Sequence, residues 1–513
     1  MKNILGRDIP DYIEGYGSVK HFEGAFSNYG VKEKVGVKVS TVKPGEEKVL
    51  NSIDEALDRL ELKDGMTISF HHHLRNGDFV LNNVVYAISK RGIKDIKIAA
   101  SSIFPVHEPL VEHIKNGVVT GIIANYISGP VAEAVSRGEL KNPAVMMTHG
   151  GRPRAIESGD LHIDVAFIGA PTADTYGNIN GVYGDAACGS LGYAVSDAEY
   201  ADKVVAITDN LVPYPASPIE ISQIYVDYVV KVDSIGNPAG IVSGTTKVTK
   251  DPVGLKIAKM AAKVIEASGL VKDGMSFQTG AGGTSLAVAV ELKEIMKKKD
   301  VVGSFAAGGI TGYIVDMLEE GLFRSLFDVQ CFDLKAVESY RNNPKHQGMS
   351  GSMYGNPHNK GAVVNNLDVM ILGATEIDTD FNVNVTTGSS GVIMGGSGGH
   401  SDTAAGSKLS IVVTNLIKGR LPIIKDRVTT VTTPGESIDV VVTERGIAVN
   451  PAREDLIEEL KKTNLPVMTI EDLKQLAETM TGKPEEIQTS EEIVAVVEYR
   501  DGTVIDVVKK PLE

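Results

Sequence analysis

Three glycine-rich loops hold the residues best suited to chemistry. Residues 279–285 read TGAGGTS, placing Gly280, Gly282 and Gly283 between a strand-like run and an apolar stretch of helical spacing. Residues 306–311 read AAGGIT and hold Gly308 and Gly309; residues 395–402 read GGSGGHSD and hold Gly398, Gly399 and His400. Glycine lets a ligand come close to the backbone, and N–H groups at a helix N-terminus bind anions and developing oxyanions. Each loop alone could be a tight turn that needs glycine for its dihedrals, and His400 alone could be a cap. Three such loops beside strand ends in one half of the chain are a more specific signal than any one of them.

The other half offers side chains instead. His71, His72, His73 and Arg75 follow the strand-like run 66–70. Adjacent histidines on an extended segment point opposite ways, and no His-Glu-x-x-His pair is present, so no metal site is expected. Contact with an anion by His71, His72 or Arg75 is the functional alternative to structural hydrogen bonding. Ser101 and Ser102 follow the run 96–100 and could cap the next element or touch a substrate. Arg152 and Arg154 follow His149-Gly150-Gly151, and arginine forks match carboxylates and phosphates.

The elements that must position these residues recur. Residues 164–180 (DVAFIGAPTADTYGNIN) and 368–384 (DVMILGATEIDTDFNVN) align at an offset of 204, bringing Asp174 onto Asp378 and Asn178 onto Asn382. Lys63-Asp64-Gly65-Met66 recurs as Lys272-Asp273-Gly274-Met275. A feature present twice is architectural, so these Asp and Asn residues are expected to form turns. Short apolar runs alternate with helical stretches, expected at 46–62, 255–268 and 286–297. The fold class is therefore α/β: two tandem homologous domains, each an open, mostly parallel sheet with helices on both faces. The expected division is an N-terminal arm (1–45), a first domain (46–250), a second domain (251–449) and an appendage (450–513). The appendage should hold helix and a hairpin around Arg500-Asp501-Gly502, packed on the second domain.

Bulk properties narrow the function. The chain has 513 residues and a net charge of −15, against a general affinity for nucleic acid or anionic membrane. Two cysteines exclude a disulfide framework and fit a reducing, cytoplasmic setting. No apolar run is long enough for a membrane span.

The strings DVAFIGAPTADTYGN (164–178) and GGSGGHSDTAAGSK (395–408) resemble the CoA-transferase superfamily. Within it, MTISFHHHLRNGD (66–78), FQTGAGGTSLAV (277–288) and SGGHSDTA (397–404) resemble the citrate lyase alpha-subunit family. That resemblance implies exchange of acetate for citrate on the thioester of an acyl carrier protein (the gamma subunit), beside a lyase (beta) subunit, in an oligomeric complex. It implies no cofactor bound by this chain itself, which acts on a CoA-derived prosthetic group of the carrier.

Many superfamily members carry a nucleophilic glutamate before a helix similar to Ile314–Gly321. Here its place falls on Gly308, and no carboxylate lies between Asp300 and Asp316. A citrate carboxylate is then the expected nucleophile. Backbone N–H groups of Gly282, Gly283, Gly308 and Gly309 are expected to stabilise the oxyanion. His71, His72, Arg75, Ser101, Ser102, Arg154, Gly280, Gly398, Gly399 and His400 are expected to bind substrate. Two alternatives stay open: a stand-alone CoA-transferase for acetate or citramalate, and a non-catalytic ligand-binding scaffold of the same fold.

Overall fold

The computed structural model describes residues 2–71, 73–242, 247–280 and 282–512. Two large sheets dominate it, one of ten strands and one of nine. Seven strands of each follow the same plan. In the first sheet the order across is Ala144–Met146, Val119–Ala124, Ile96–Ala100, Thr67–Phe70, Val165–Gly169, Lys203–Thr208 and Tyr228–Lys231. In the second it is His346–Gly348, Phe323–Cys331, Gly303–Ile310, Ser276–Thr279, Val369–Leu372, Leu409–Val413 and Val440–Val442. All these neighbours pair in parallel. Near-continuous apolar runs such as Val369–Leu372, buried along its whole length, suit strands covered on both faces.

The repeat has a physical basis in this plan. Asp164 accepts the Thr67 N–H at 2.8 Å and Asp368 accepts the Ser276 N–H at 2.8 Å, so each carboxylate ties the entries of two neighbouring strands together. Asp174 accepts from the Tyr176 and Asn178 N–H groups and from the Asn178 amide. Asp378 does the same with Asp380 and Asn382. All four residues fold turns, and the two carboxylates are spent there.

In both sheets the chain reverses its direction of strand addition beside the central strand, between Thr67–Phe70 and Val165–Gly169 and between Ser276–Thr279 and Val369–Leu372. Such switch points open a crevice at the strands' carboxyl ends. The His71–Arg75 segment leaves one switch point and the 279–285 loop leaves the other.

Two expectations are corrected. The helix expected at 46–62 is only Ile53–Leu60, because Val49–Leu50 pairs with Val229 and Val230 at the sheet edge. Ser52 then caps the shortened helix by accepting the Glu55 N–H. The C-terminal appendage does not stay on the second sheet. Its helix Ile470–Thr481 does pack there, burying Ile470, Leu473 and Ala477 against Val441 and Ala448. The hairpin Thr489–Glu498/Val504–Pro511 crosses to the first sheet, where Ala495 pairs with Ala144 and Val497 with Met146. The strand Ala144–Met146 would otherwise present unpaired N–H and C=O groups, and the hairpin satisfies them. Ile9 and Ile13 of the N-terminal arm pack against Val496, Val504 and Val507 of the same hairpin.

Candidate functional site

The strand ends of the two sheets face each other along a seam. Thr148, after the strand Ala144–Met146, forms a bridge with Gly398. The His149 N–H donates to the Gly398 carbonyl at 2.8 Å, and the Gly398 N–H donates to the Asn125 carbonyl at 3.1 Å. Asp402 locks this crossing: it accepts from the Thr148 hydroxyl and the Gly150 N–H, both at 2.8 Å. Arg500 of the hairpin lies 3.5 Å from Asp402 and donates to the Gly355 carbonyl at 2.8 Å. Burial, offset by Arg500 and these donors, raises the Asp402 carboxyl to about 6.

Side chains of the first half line one wall. His71 and His73 bond to each other through their Nδ1 atoms. His73 stacks 6.0 Å from Tyr193, and His149 lies 4.4 Å from the same ring. Burial is the main cause that lowers His71 to about 4 and His149 to about 3; Arg152 and Arg75 add to the His149 shift. Both imidazoles are therefore neutral near pH 7 and serve as hydrogen-bonding groups. Arg75 has φ of 53° and holds its guanidinium 5.5 Å from the Phe104 ring and 4.6 Å from the Phe332 ring. Phe104 belongs to the first half and Phe332 to the second, so Arg75 stands in the seam. Its Nη1 is buried without a hydrogen-bond partner, and no carboxylate pairs with it among the described residues.

The second half supplies backbone. Gly308 sits at a bulge between Gly303–Ile310 and Phe323–Cys331 with φ of 102°, a conformation that favours glycine. A Cβ there would lie 2.4 Å from Gln278 Nε2, so the side-chain volume is already filled. A Cβ on Gly309 would lie 2.2 Å from the Phe332 ring, and one on Gly399 would lie 2.2 Å from the Tyr354 hydroxyl. Gly282 caps the helix Gly283–Lys299, whose first-turn N–H groups face the same strand ends. The Gly280 N–H donates to the Ile371 carbonyl at 2.9 Å.

The structure thus brings His71, Arg75, Gly308, Gly309, Gly398 and Gly399 to one seam, with Gly280, Gly282 and Gly283 at the neighbouring strand end. It removes two expected substrate ligands. His400 is buried with both ring nitrogens occupied, Nδ1 by the Thr433 hydroxyl at 2.7 Å and Nε2 by the Gly373 carbonyl at 2.9 Å. It braces the loop on the second sheet. Arg154 turns away from the seam, pairs with Asp160 at 2.5 Å and packs under Gly502 of the hairpin. Arg152 is likewise spent, in a bidentate pair with Asp197 at 2.8 and 3.0 Å. Ser101 and Ser102 are buried at their strand end, and Ser102 Oγ donates to the Ser101 carbonyl. His72 and Ala281 lie outside the described residues. Sequence reasoning missed Gln278, Tyr193, Tyr354 and Asp402. Their signal is weak, because each lies far along the chain from the groups it touches.

Among the described residues no helix is long and apolar enough to cross a membrane. Cavities of about 940 and 700 Å³ open elsewhere, under arm residues 37–48 and beside Arg427, and neither is lined by a glycine of the three loops.

A family model for the citrate lyase alpha subunit matches residues 46–511. The chain is 52% identical to a citrate lyase alpha chain of Haemophilus influenzae, over 90% of this chain and 92% of that one. It is 50% identical to that of Escherichia coli, over 92% of each. A crystal structure from Streptococcus mutans, described as the alpha subunit of citrate lyase in complex with citrate, superposes with a TM-score of 0.96 at 53% identity, covering all of both chains. A 4-hydroxybutyrate CoA-transferase from Porphyromonas gingivalis shares the fold alone, with a TM-score of 0.53 at 18% identity over 84% of this chain and 96% of that one.

Proposed function

The chain belongs to the citrate lyase alpha-subunit family, and from that premise we propose that it is a citrate CoA-transferase acting without an acyl-enzyme. A citrate carboxylate attacks the acetyl thioester carbonyl of an acyl carrier protein. The C–S bond breaks, leaving a citric–acetic mixed anhydride and the carrier's thiolate. The thiolate attacks the citryl carbonyl, and acetate leaves. No proton need move, because carboxylate and thiolate both leave as anions. Positioning and oxyanion stabilisation are what remain for the protein.

One observation carries this reading. At the bulge facing the seam there is glycine, and the space beside Gly308 is filled by the neutral Gln278 amide. Asp402, the buried carboxylate beside the 395–402 loop, is held by Thr148 and Gly150. Backbone N–H groups around Gly282, Gly283, Gly308 and Gly309 are the oxyanion donors of this scheme, and Arg75, neither ion-paired nor solvated at Nη1, is the cation offered to citrate. The carrier (gamma) and lyase (beta) subunits are the proposed partners, in an oligomeric cytoplasmic complex, and the CoA-derived group belongs to the carrier.

Incubation with acetyl-CoA, acid quenching and intact-mass measurement tests the scheme. The protein mass should stay unchanged while citrate-dependent acetate release proceeds, faster with the carrier present. A CoA or acyl adduct on a glutamate, or loss of exchange on replacing one particular glutamate, would refute it. Equal rates with free CoA esters and without a carrier would favour a stand-alone transferase.

A further inference from the structure

Buried polar atoms without partners gather at the seam: Arg75 Nη1, His71 Nε2, Asn125 Oδ1 and Gln278 Oε1. A buried unsatisfied polar atom costs free energy unless something bonds it, and catalytic hydrogen bonds commonly form only in the loaded site. Gln278 is the member of this set closest to the glycine bulge. It is the penultimate residue of the strand Ser276–Thr279 at the switch point, is 5% exposed, and lies against the Gly308 backbone. Its Nε2 donates to the Tyr354 hydroxyl at 2.8 Å, which fixes the amide and leaves Oε1 as a bare acceptor.

We propose that Gln278 is a specificity residue that reads the tertiary hydroxyl of citrate. The inference rests on the transfer reading above and adds the group that distinguishes citrate from tricarboxylates without a hydroxyl. Fully ionised citrate carries three carboxylates, which only accept hydrogen bonds, and one hydroxyl, its single donor. Two bare oxygen acceptors are present in this set, Asn125 Oδ1 and Gln278 Oε1; the one beside the glycine bulge, Gln278 Oε1, matches that donor and repels a carboxylate oxygen. A site built to bond a substrate hydroxyl rejects the analogue lacking it strongly, because its own polar group is then left unpaired. Oε1 has almost no exposed surface, so a hydrogen bond made there is shielded from water.

The test compares citrate with tricarballylate, the same skeleton without the hydroxyl, as acceptors from acetyl-CoA and as ligands in calorimetry. Wild-type protein should favour citrate by about a hundredfold or more in kcat/KM and in Kd. Gln278→Leu should bring that ratio to within about threefold of unity, mainly by weakening citrate. Gln278→Glu keeps an acceptor of the same shape; it should hold the preference above about thirtyfold while weakening both trianions. Asn125→Leu should leave the ratio unchanged. An unchanged ratio in Gln278→Leu, an equal loss for both acids, or a ratio that collapses in Asn125→Leu instead, overturns the inference. If wild-type protein binds citrate selectively but transfers nothing, the transfer reading fails while the calorimetric ratio still decides the role of Gln278.

Discussion

The two halves share a seven-strand plan and present opposite chemistry at their switch points. After Thr67–Phe70 the first half offers His71, His73 and Arg75; after Ser276–Thr279 and within Gly303–Ile310 the second offers Gly280, Gly282, Gly283, Gly308 and Gly309. One wall supplies shaped side chains and a positive charge, the other supplies close-approaching backbone. The repeated Asp–Asn turns remain in both, so the scaffold was kept while the strand ends diverged. The comparison teaches a division of labour: Arg75 on the charged wall should govern overall citrate affinity, Gln278 beside the glycines its selectivity for the hydroxyl, and the glycine backbone the rate of transfer.

The sharpest break of that division is Gly308→Ala. The added Cβ must displace Gln278, and φ of 102° is strained for alanine. We expect kcat to fall by about 10³-fold, the scale of losing an oxyanion donor, and citrate KM to rise as well, because the displaced amide is the one proposed to read the citrate hydroxyl. Steady-state kinetics check it, and a tenfold rise in KM with kcat intact would reverse the assignment of the walls. Arg75→Gln is the mirror experiment. Citrate KM should rise about 100-fold, as for a charge-assisted contact worth roughly 2.7 kcal/mol, with kcat within about threefold. An unaltered KM would remove Arg75 from the substrate.

Asp402→Asn probes the joint between the walls. Burial raises the folded carboxyl to about 6, above the ordinary aspartate value of 3.8, so the folded state binds more protons than the unfolded one between those values. That contribution to stability is fully present below pH 3.8 and is lost as pH rises through about 6. The Tm advantage of wild type over Asp402→Asn should therefore shrink from pH 4 to pH 6.5 and then level off in thermal melts. A gap that widens instead would show that the Arg500 pair outweighs burial. The smallest effect is expected from Arg154→Gln, which should leave citrate KM within about twofold and lower Tm by a few degrees through the hairpin; a large KM effect would return Arg154 to the site.

The strand runs, the turns around Asp174 and Asp378, and the empty place at Gly308 were all legible in the sequence. They rest on local periodicity and on residue types whose backbone demands are their own. His400 illustrates what was not legible. Beside Gly398 and Gly399 it looks like a ligand, yet Thr433, 33 positions on, takes its Nδ1. Arg152 and Arg154 look equivalent to Arg75, but their carboxylate partners Asp197 and Asp160 are assigned only by the fold.

The sequence by itself determined the α/β alternation, the doubled plan and the loops able to bind an anion, because each follows from patterns within a few residues. Only the tertiary structure decided that Arg75 has no carboxylate partner among the described residues, that Gln278 fills the space beside Gly308, and that the C-terminal hairpin closes the first sheet. Those outcomes depend on contacts at separations that range from six residues (Arg154 with Asp160) through 30 (Gln278 with Gly308) to 351 (Ala495 with Ala144), and no local pattern encodes which of several equivalent side chains finds its partner first in space.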